Sequence, residues 1–314
     1  MSVRVAAVDC GTNSTRLLLA EVDPAGRLTT LTRRAVVTRL GRGVDAAGRL
    51  AAEAIDRSAA VLAEFATQWR ASGIDRVGVV ATSAVRDAAN PAAFTDAVRA
   101  ATGVTPRVLS GAEEAAWAFA GALGGVDVAA PALVVDIGGG STELILGDAH
   151  AAAPVAATSR QLGAVRLTER LLPADPPTAS QRAAAAVAVD AELTAAAAEV
   201  PLAAAAALVA VAGTATTLAA LHLGLADYDG AAVHGTRLRT AEVAALLDWL
   251  AHTPSAEVAR RAVVAPGRED VLYAGALILT RVLAASGLEA VVVSETDLLD
   301  ALARQVAADR PRGV

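Results

Sequence analysis

The pattern of apolar and polar positions alternates between short apolar runs and longer stretches with helical spacing. The short runs predict strands at 3–8, 16–22, 77–81, 107–109, 132–135, 142–146, 208–212 and 290–293. Apolar residues at helical spacing predict helices near 46–72, 113–123, 180–199, within 240–285 and at 296–308. Strands that alternate with helices along one chain predict an α/β fold.

A strand–turn–strand pattern occurs twice. Val8–Leu19 and Val135–Leu146 lie at a constant offset of 127 positions, and seven of their twelve residues are identical. Such a match indicates two related half-domains whose hairpins face each other across a cleft. Two unrelated hairpins with similar turn preferences are the alternative.

The domain boundary is predicted in the loop-like, glycine-rich segment that begins at Gly121 and runs to Pro131. We therefore expect an N-terminal half-domain at 1–124 and a C-terminal half-domain at 125–314. The last helix, at about 296–310, is expected to pack back on the first half.

The turns of the repeat carry the residue types of a phosphate site. Glycine lets backbone N–H groups approach an anion without a Cβ in the way, and serine and threonine add hydroxyl donors. The candidate phosphate-binding residues in these turns are Gly11, Thr12, Asn13, Ser14, Gly138, Gly139, Gly140 and Ser141.

The repeat differs at one informative pair, since Arg16 corresponds to Glu143. The arginine would neutralise a phosphate, whereas the glutamate needs a cation. Asp136 lies on the same turn as Glu143, and the two carboxylates together suit a hard divalent metal, with Asp9 as a third candidate ligand. For Asp136 alone, an ordinary Asx turn is the alternative.

Further anion donors are predicted where strands lead into helices. Arg86 follows a strand end within Ala81–Arg86, and Gly213 and Thr214 begin a Gly/Thr-rich segment at another such junction. Simple helix capping is the alternative for the threonine cluster.

Composition narrows the function classes. The net charge of −6 argues against a surface for nucleic acid, and the chain contains no lysine, which excludes a Walker-type NTPase. Cys10 is the single cysteine, the four histidines lack metal-ligand spacing, and no segment suits a signal peptide or a membrane span. We therefore expect a soluble cytoplasmic protein.

Two acidic residues, Glu113 and Glu114, open a predicted helix, where acidic side chains ordinarily complement the helix dipole. A family resemblance changes that interpretation. The chain resembles the exopolyphosphatase/guanosine-pentaphosphate phosphohydrolase (Ppx/GppA) family, in its short two-domain form. The matching stretches are Val8–Leu17, Ala81–Ala88, Ser110–Ala115, Val135–Leu144 and Ala212–Thr217.

The resemblance implies two actin-like ATPase (ribonuclease H-like) half-domains and hydrolysis of a terminal phosphoanhydride bond. The family's catalytic base falls on Glu114, with Glu113 as the adjacent alternative, and its metal-binding acids fall on Asp136 and Glu143. Mg²⁺ is the implied metal, with Mn²⁺ as the alternative. The segment from Val293 departs from the family, because an expected Arg-Glu-Gly is missing there.

The implied substrate is inorganic polyphosphate, with guanosine pentaphosphate as the alternative. The chemistry of the two substrates is identical, so the residues do not separate them. An actin-like kinase and a non-catalytic polyphosphate sensor are the rival classes, and the presence of all three acids speaks against the sensor. No nucleic acid or membrane partner is expected, and a homodimer is left open.

Overall fold

The computed structural model of the protein describes residues 2–148 and 154–309, so His150 lies outside the described residues. The first part of the chain contains β1 (Val3–Cys10), β2 (Ser14–Val22), β3 (Leu28–Val37), α1 (Val44–Ala47), α2 (Ala52–Ala71), β4 (Arg76–Ala81), α3 (Ser83–Arg86), α4 (Pro91–Thr102) and β5 (Arg107–Val108).

The second part begins with α5 (Gly111–Ala122), β6 (Ala132–Ile137), β7 (Thr142–Gly147), β8 (Ala156–Arg160), α6 (Ala164–Leu171), α7 (Ala179–Ala197), β9 (Ala207–Val211) and α8 (Ala212–His222). It continues with α9 (Gly230–Val233), β10 (Arg237–Arg239), α10 (Thr240–His252), α11 (Ser255–Val258), α12 (Leu272–Ser286), β11 (Ala290–Val293) and α13 (Leu298–Ala308). The predicted α/β class is confirmed.

The first sheet has, among the described residues, five strands in the order β3-β2-β1-β4-β5. The strands β1, β2 and β3 form an antiparallel meander, and β4 and β5 run parallel to β1. The parallel steps need crossover connections, which α2 and α4 supply. Leu62 and Phe94 of these two helices are fully buried in the core beneath the sheet.

The second sheet repeats this arrangement. Its order in the described chain is β10-β11-β9-β6-β7-β8, so β6, β7, β8, β9 and β11 take the places of β1 to β5. The pairs β6–β7 and β7–β8 are antiparallel, and β6–β9 and β9–β11 are parallel. The internal repeat seen in the sequence is therefore a repeat of whole-sheet topology, with β10 added at one edge.

Strands that the sequence pattern missed lie at the sheet edges. Neither β3 nor β8 was predicted, and both are only partly buried, whereas every residue of β6 and β7 is buried. An edge strand covered on one side lacks the continuous apolar run that marks a central strand.

Compact packing divides the described chain into two units. Residues up to Ser110 together with those from Leu298 onward form the first unit, and Gly111–Asp297 form the second. Helix α5 contacts β6, β7, β8 and β9, which places it in the second unit. The sequence-based boundary at 124/125, which assigned this helix to the first half, stays a prediction about domain organisation.

Each sheet is covered on one face by a helix from outside its own run of strands. Helix α13 packs on β1, β2 and β4, and Val306 presses so closely on Gly78 that a Cβ there would lie 2.4 Å from the valine Cγ2. Helix α5 covers the second sheet in the same way. Within residues 2–148 and 154–309, no helix combines the length and apolar content needed to cross a membrane.

Candidate active site

The turns of the two hairpins have the same backbone geometry. The N–H of Gly138 donates to the carbonyl of Ser141 at 3.0 Å, and the N–H of Gly11 donates to the carbonyl of Ser14 at 3.1 Å. A Cβ on either glycine would lie 3.1 Å from that carbonyl oxygen. The first glycine N–H of each loop is thus used inside the turn, so an anion would have to be bound by the N–H groups that follow.

The carbonyl groups of the β6–β7 loop face helix α6. The Gly138 carbonyl accepts from the N–H of Ala164 at 2.9 Å, and the Gly139 carbonyl accepts from the N–H of Arg166 at 3.1 Å. The Gly140 carbonyl accepts from Nε of Arg166 at 2.8 Å. Because a trans peptide points its C=O and the following N–H in opposite directions, the next N–H groups of the loop point away from α6.

These outward N–H groups belong to Gly139, Gly140 and Ser141, and consecutive N–H groups of this kind form an anion-binding concavity. Gly163 holds the loop from behind, since a Cβ there would lie 2.4 Å from the Gly139 oxygen and 2.5 Å from the Gly140 nitrogen. Gly163 and Arg166 were not predicted from the sequence. Their only marker is a glycine directly before a short amphipathic helix.

The loop of the first unit is held in a similar way. The carbonyl of Thr12 accepts from the N–H of Gly41 at 2.8 Å, and that of Asn13 accepts from the N–H of Thr38 at 2.9 Å. The Thr12 hydroxyl also lies 2.8 Å from that of Ser83, which connects the loop to the predicted Ala81–Arg86 motif. The N–H groups of Asn13 and of the next residue therefore point away from the segment that follows β3.

The two arginines proposed as phosphate ligands have protein partners in the first unit. Arg16 donates from Nε and Nη2 to Oδ2 of Asp9, at 3.0 and 2.7 Å. This pair sits at the register position that Glu143 and Asp136 occupy in the second sheet. Arg86 donates to the carbonyl of Leu109 at 3.0 Å. The phosphate-binding roles of both arginines, and the metal-binding role of Asp9, stay predictions.

Three buried carboxylates meet in the second unit. Asp136 and Glu143 lie opposite each other on the antiparallel pair β6–β7, and their exposed fractions are 7% and 1%. Glu114, on the first turn of α5, is 7% exposed and close enough to raise the pKa of Glu143. Its neighbour Glu113 is half-buried.

Some of the groups around Glu143 raise its pKa and others lower it. Burial raises the pKa of Glu143 well above its usual value, and the carboxylates of Glu114 and Asp136 raise it further. Hydrogen bonds from the side chains of Ser159 and Ser141 lower it. The Ser159 hydroxyl donates to Oε1 of Glu143 at 2.6 Å. Ser141, predicted as a phosphate ligand through its hydroxyl, therefore directs that hydroxyl to Glu143.

Asp136 and Glu143 fit a hard divalent cation that takes only a few of its ligands from the protein. In the described part of the chain, no three His, Cys, Asp or Glu side chains form a group that could hold a metal ion. The protein would thus offer Asp136 and Glu143, and waters and phosphate oxygens would complete the coordination, as is usual for Mg²⁺. A cation between two buried carboxylates would also offset the repulsion that raises the pKa of Glu143.

The start of α8 brings in an arginine that the sequence analysis missed. Gly213 lies against the guanidinium of Arg268, and a Cβ on Gly213 would overlap it. The N-terminal N–H groups of α8 and this guanidinium both favour an anion. Thr214 is buried, and its Oγ1 would lie 2.4 Å from a Cβ on Gly275, so its side chain packs on α12.

Comparison with known proteins places this site in a family. A model of the Ppx/GppA phosphatase family matches residues 18–301. The chain belongs to the Ppx/GppA phosphatase family. The family resemblance predicted from the sequence motifs is confirmed.

Individual members of the Ppx/GppA family are similar over nearly the whole chain. Exopolyphosphatase 2 of Mycobacterium tuberculosis is 42% identical over 317 residues, covering 97% of this chain and 98% of the relative. A crystal structure of an exopolyphosphatase-like protein superposes with a TM-score of 0.92 at 40% identity, covering 98% of both chains. The Aquifex aeolicus family member superposes with a TM-score of 0.78 at 30% identity, covering 97% of both chains.

The fold of these Ppx/GppA structures, together with the repeated sheet topology, confirms the predicted class of two actin-like ATPase half-domains. Of the predicted site residues, the structure brings together Glu114, Asp136, Glu143 and the 138–141 loop within the second unit. The 11–14 loop, Asp9, Arg16 and Arg86 are found in the first unit.

Proposed function

We propose that this chain is an exopolyphosphatase, which hydrolyses the terminal phosphoanhydride bond of inorganic polyphosphate and releases orthophosphate. The observation that carries the proposal is the meeting of Glu114, Asp136 and Glu143 at a loop whose N–H groups suit a phosphoryl group. Exopolyphosphatase 2 of Mycobacterium tuberculosis, 42% identical, is the named relative that supports this substrate.

The loop at 138–141 would hold the terminal phosphoryl group. The N–H groups of Gly139, Gly140 and Ser141 donate to its equatorial oxygens, where charge accumulates during phosphoryl transfer. Their positions are fixed beforehand by α6, because the loop carbonyls are already engaged with that helix. Such preorganised donors need no rearrangement at the moment of reaction.

Glu114 would act as the base. Its carboxylate accepts a proton from the attacking water, the water oxygen bonds to phosphorus, and the bond from phosphorus to the bridging oxygen breaks. The shortened polyphosphate leaves with the bonding electron pair. Glu114 is buried, so its carboxylate lies away from bulk solvent. General bases of this kind contribute about 10²–10⁴-fold to the rate.

Asp136 and Glu143 would hold a divalent metal, which we propose to be Mg²⁺. When bound, the metal supplies positive charge that offsets the charge of the phosphoryl oxygens. The two carboxylates fix its place on adjacent strands of a fully buried pair, β6 and β7. Rigid strands hold such a pair more accurately than loops do.

Further phosphate-binding residues are proposed outside the 138–141 loop. They are the loop at 11–14, Arg16, Arg86, Gly213, Thr214 and Arg268. Their support is the shared turn geometry of the two hairpins and the anion-favouring end of α8. Polyphosphate carries one charge or more per phosphate. Several separate donor groups are therefore expected for its chain rather than one.

The test is orthophosphate release by the purified chain from tripolyphosphate, long-chain polyphosphate and guanosine pentaphosphate, each with Mg²⁺, with Mn²⁺ and with a chelator. We expect metal-dependent release from polyphosphate. Release of orthophosphate from guanosine pentaphosphate but not from polyphosphate would favour the alternative substrate. No release from any of them with either metal would contradict the proposed hydrolase.

A further inference from the structure

A serine outside the predicted motifs contacts both the proposed metal ligand Glu143 and the helix that carries the proposed base. Ser159 lies on β8, directly opposite Glu143 in the β7–β8 pair, and its hydroxyl donates to Oε1 of Glu143 at 2.6 Å. We infer that Ser159 is a positioning residue, which sets Glu143 and the start of α5 in fixed places relative to each other. The inference rests on the proposed function, since it gives Glu143 the metal and Glu114 the base.

The second contact is with Gly111, the first residue of α5. A Cβ on Gly111 would lie 2.8 Å from the Ser159 Cβ and 3.0 Å from its Oγ, so only glycine lets the helix approach this closely. Glu114 follows less than one turn later on α5. A single small side chain therefore separates the carboxylate expected to hold the metal from the helix that carries the proposed base.

The hydrogen bond itself has a defined role. The orientation of a buried carboxylate depends on the donors that bond to it, which for Glu143 include the hydroxyls of Ser159 and Ser141. The hydroxyl of Ser159 fixes Oε1 and leaves Oε2 to other partners, among which the metal is the proposed one. Removing a group that orients a metal ligand in this way typically lowers metal affinity or activity by about 10- to 100-fold. For loss of the Ser159 hydroxyl we expect the lower end of this range, about 10-fold.

A merely structural role for Ser159 predicts something different. If the hydroxyl only satisfies a buried oxygen, its removal lowers the stability of the fold but leaves metal affinity and turnover unchanged. The same strand offers a matched control. Thr158 is buried and points to the opposite face of the sheet, opposite Leu144 rather than Glu143.

The experiment compares Ser159→Ala, Ser159→Thr and the control Thr158→Val with the wild-type protein. The first readout is the affinity for Mn²⁺ without substrate, measured from the free-ion electron paramagnetic resonance signal. The second is kcat and KM for polyphosphate hydrolysis. We expect Ser159→Ala to bind Mn²⁺ about 10-fold more weakly and to lower kcat with little change in KM. Ser159→Thr, which keeps the hydroxyl, should recover most of the loss, and Thr158→Val should match the wild type.

Gly111→Ala is a second and independent probe, because its new methyl group pushes on Ser159 without touching any carboxylate. We expect it to lower Mn²⁺ affinity and kcat in the same direction as Ser159→Ala. Wild-type Mn²⁺ affinity in Ser159→Ala would overturn the inference. An equal loss in Thr158→Val would also overturn it, because the loss would then follow from strand packing.

The two proposals fail in distinguishable ways. If the wild-type protein releases no orthophosphate, the proposed function fails, and the Mn²⁺ titration still decides the role of Ser159. If the wild-type protein binds no Mn²⁺, the inference about Ser159 is overturned whatever substrate the protein hydrolyses.

Discussion

At the scale of single residues, the ionisation of Glu143 is affected by burial, by two carboxylates and by two hydroxyls. Glu143 is 1% exposed, and burial is the largest cause of its raised pKa, followed by Glu114 and then Asp136. Two serine hydroxyls oppose these effects. Removing any one member of this group should therefore alter the others, and single substitutions are not expected to add.

The base assignment predicts unequal effects for two neighbouring glutamates. Glu114→Gln keeps the size of the side chain but removes the proton acceptor, so turnover of polyphosphate should fall by about 10²-fold or more. Glu113→Gln should be much milder, since this residue is half-buried and about 100° away around the helix.

The measurement for this pair is kcat, with polyphosphate binding and thermal unfolding as controls. Both variants should fold and bind substrate. Loss of turnover in Glu113→Gln but not in Glu114→Gln would shift the base by one residue. If neither variant loses turnover, another acid is the base.

The metal assignment predicts a change in metal requirement. Asp136→Asn replaces a carboxylate by a neutral amide, so the Mg²⁺ concentration for half-maximal activity should rise by about tenfold or more. Asp248→Asn, on the exposed side of α10 in the same unit, is the control and should leave the requirement unchanged. An unaltered Mg²⁺ titration of Asp136→Asn would remove Asp136 from the metal site.

Cys10 gives a prediction with a pH dependence. Burial raises the pKa of this thiol well above its usual value, and Asp9 adds to the rise, so the folded protein keeps the neutral thiol. Because the folded state holds this proton more tightly than the unfolded state, this contribution to stability is complete at neutral pH. It is lost as the pH rises above about 8.5, the usual pKa of an exposed thiol.

Labelling with a thiol-specific disulfide reagent tests the Cys10 prediction. The native protein should not react between pH 7 and 8, and protein unfolded in urea should react fully. Rapid labelling of the native protein would show that the β1 strand end is open to solvent.

At the scale of elements, the glycine loop at 138–141 and helix α6 fix each other in place. The N–H groups at the start of α6 need acceptors, and the carbonyls of Gly138 and Gly139 supply them. One set of hydrogen bonds therefore caps the helix and turns the loop N–H groups away from α6. Gly163 is required for this packing because a side chain there would collide with loop backbone.

The predicted consequence concerns Gly163→Ala. Its φ of −147° suits any residue, so the effect comes from the collision with the Gly139–Gly140 peptide and not from backbone strain. We expect kcat/KM for polyphosphate to fall by about 10- to 100-fold, because displaced N–H groups no longer meet the phosphoryl oxygens.

The matched control is Gly230→Ala at the start of α9. There the three atoms nearest to the new Cβ belong to the side chain of Glu295 and not to backbone, with Oε2 at 3.3 Å, so activity should persist. Equal kcat/KM values for Gly163→Ala and the wild type would show that the loop tolerates displacement.

At the scale of the whole molecule, the chain leaves the first unit at Ser110 and returns to it at Leu298. The returning helix α13 completes the first unit. Asp300 on this helix is 1% exposed and accepts from Nη2 of Arg33 on β3 at 2.7 Å. Arg76, at the start of β4, donates to the carbonyl of Asp309 at 2.6 Å, near the end of the same helix. The first unit can therefore be complete only when the C-terminal helix is available.

Arg33→Ala should lower the free energy of unfolding by about 1–3 kcal/mol, because the buried carboxylate of Asp300 loses a charge-assisted hydrogen bond. The measurement is urea unfolding followed by circular dichroism. Arg99→Ala is the control, since Arg99 pairs with Asp96 on the exposed side of α4 and its loss should have a smaller effect. Equal losses in both variants would mean that the Arg33–Asp300 pair does not anchor α13.

The sequence by itself determined the elements whose pattern is local. The buried strands β6 and β7 contain the apolar runs 132–135 and 144–146, and the loops at 11–14 and 138–141 are marked by their glycines. The identical residues of the repeat predicted two related half-domains, and the two sheets share the order of five strands. The family motifs favoured Glu114 over Glu113 as the base, and this assignment stays a prediction.

Tertiary structure alone decided the features that depend on residues far apart in the chain. Edge strand β8 carries no continuous apolar run, so neither the strand nor Ser159 stands out in the sequence. Gly163, Arg166 and Arg268 matter through what they touch, namely loop carbonyls and the start of α8. The hydrophobic pattern records which side of an element is buried, whereas these contacts depend on which element covers it, and that is settled only when the sheets assemble.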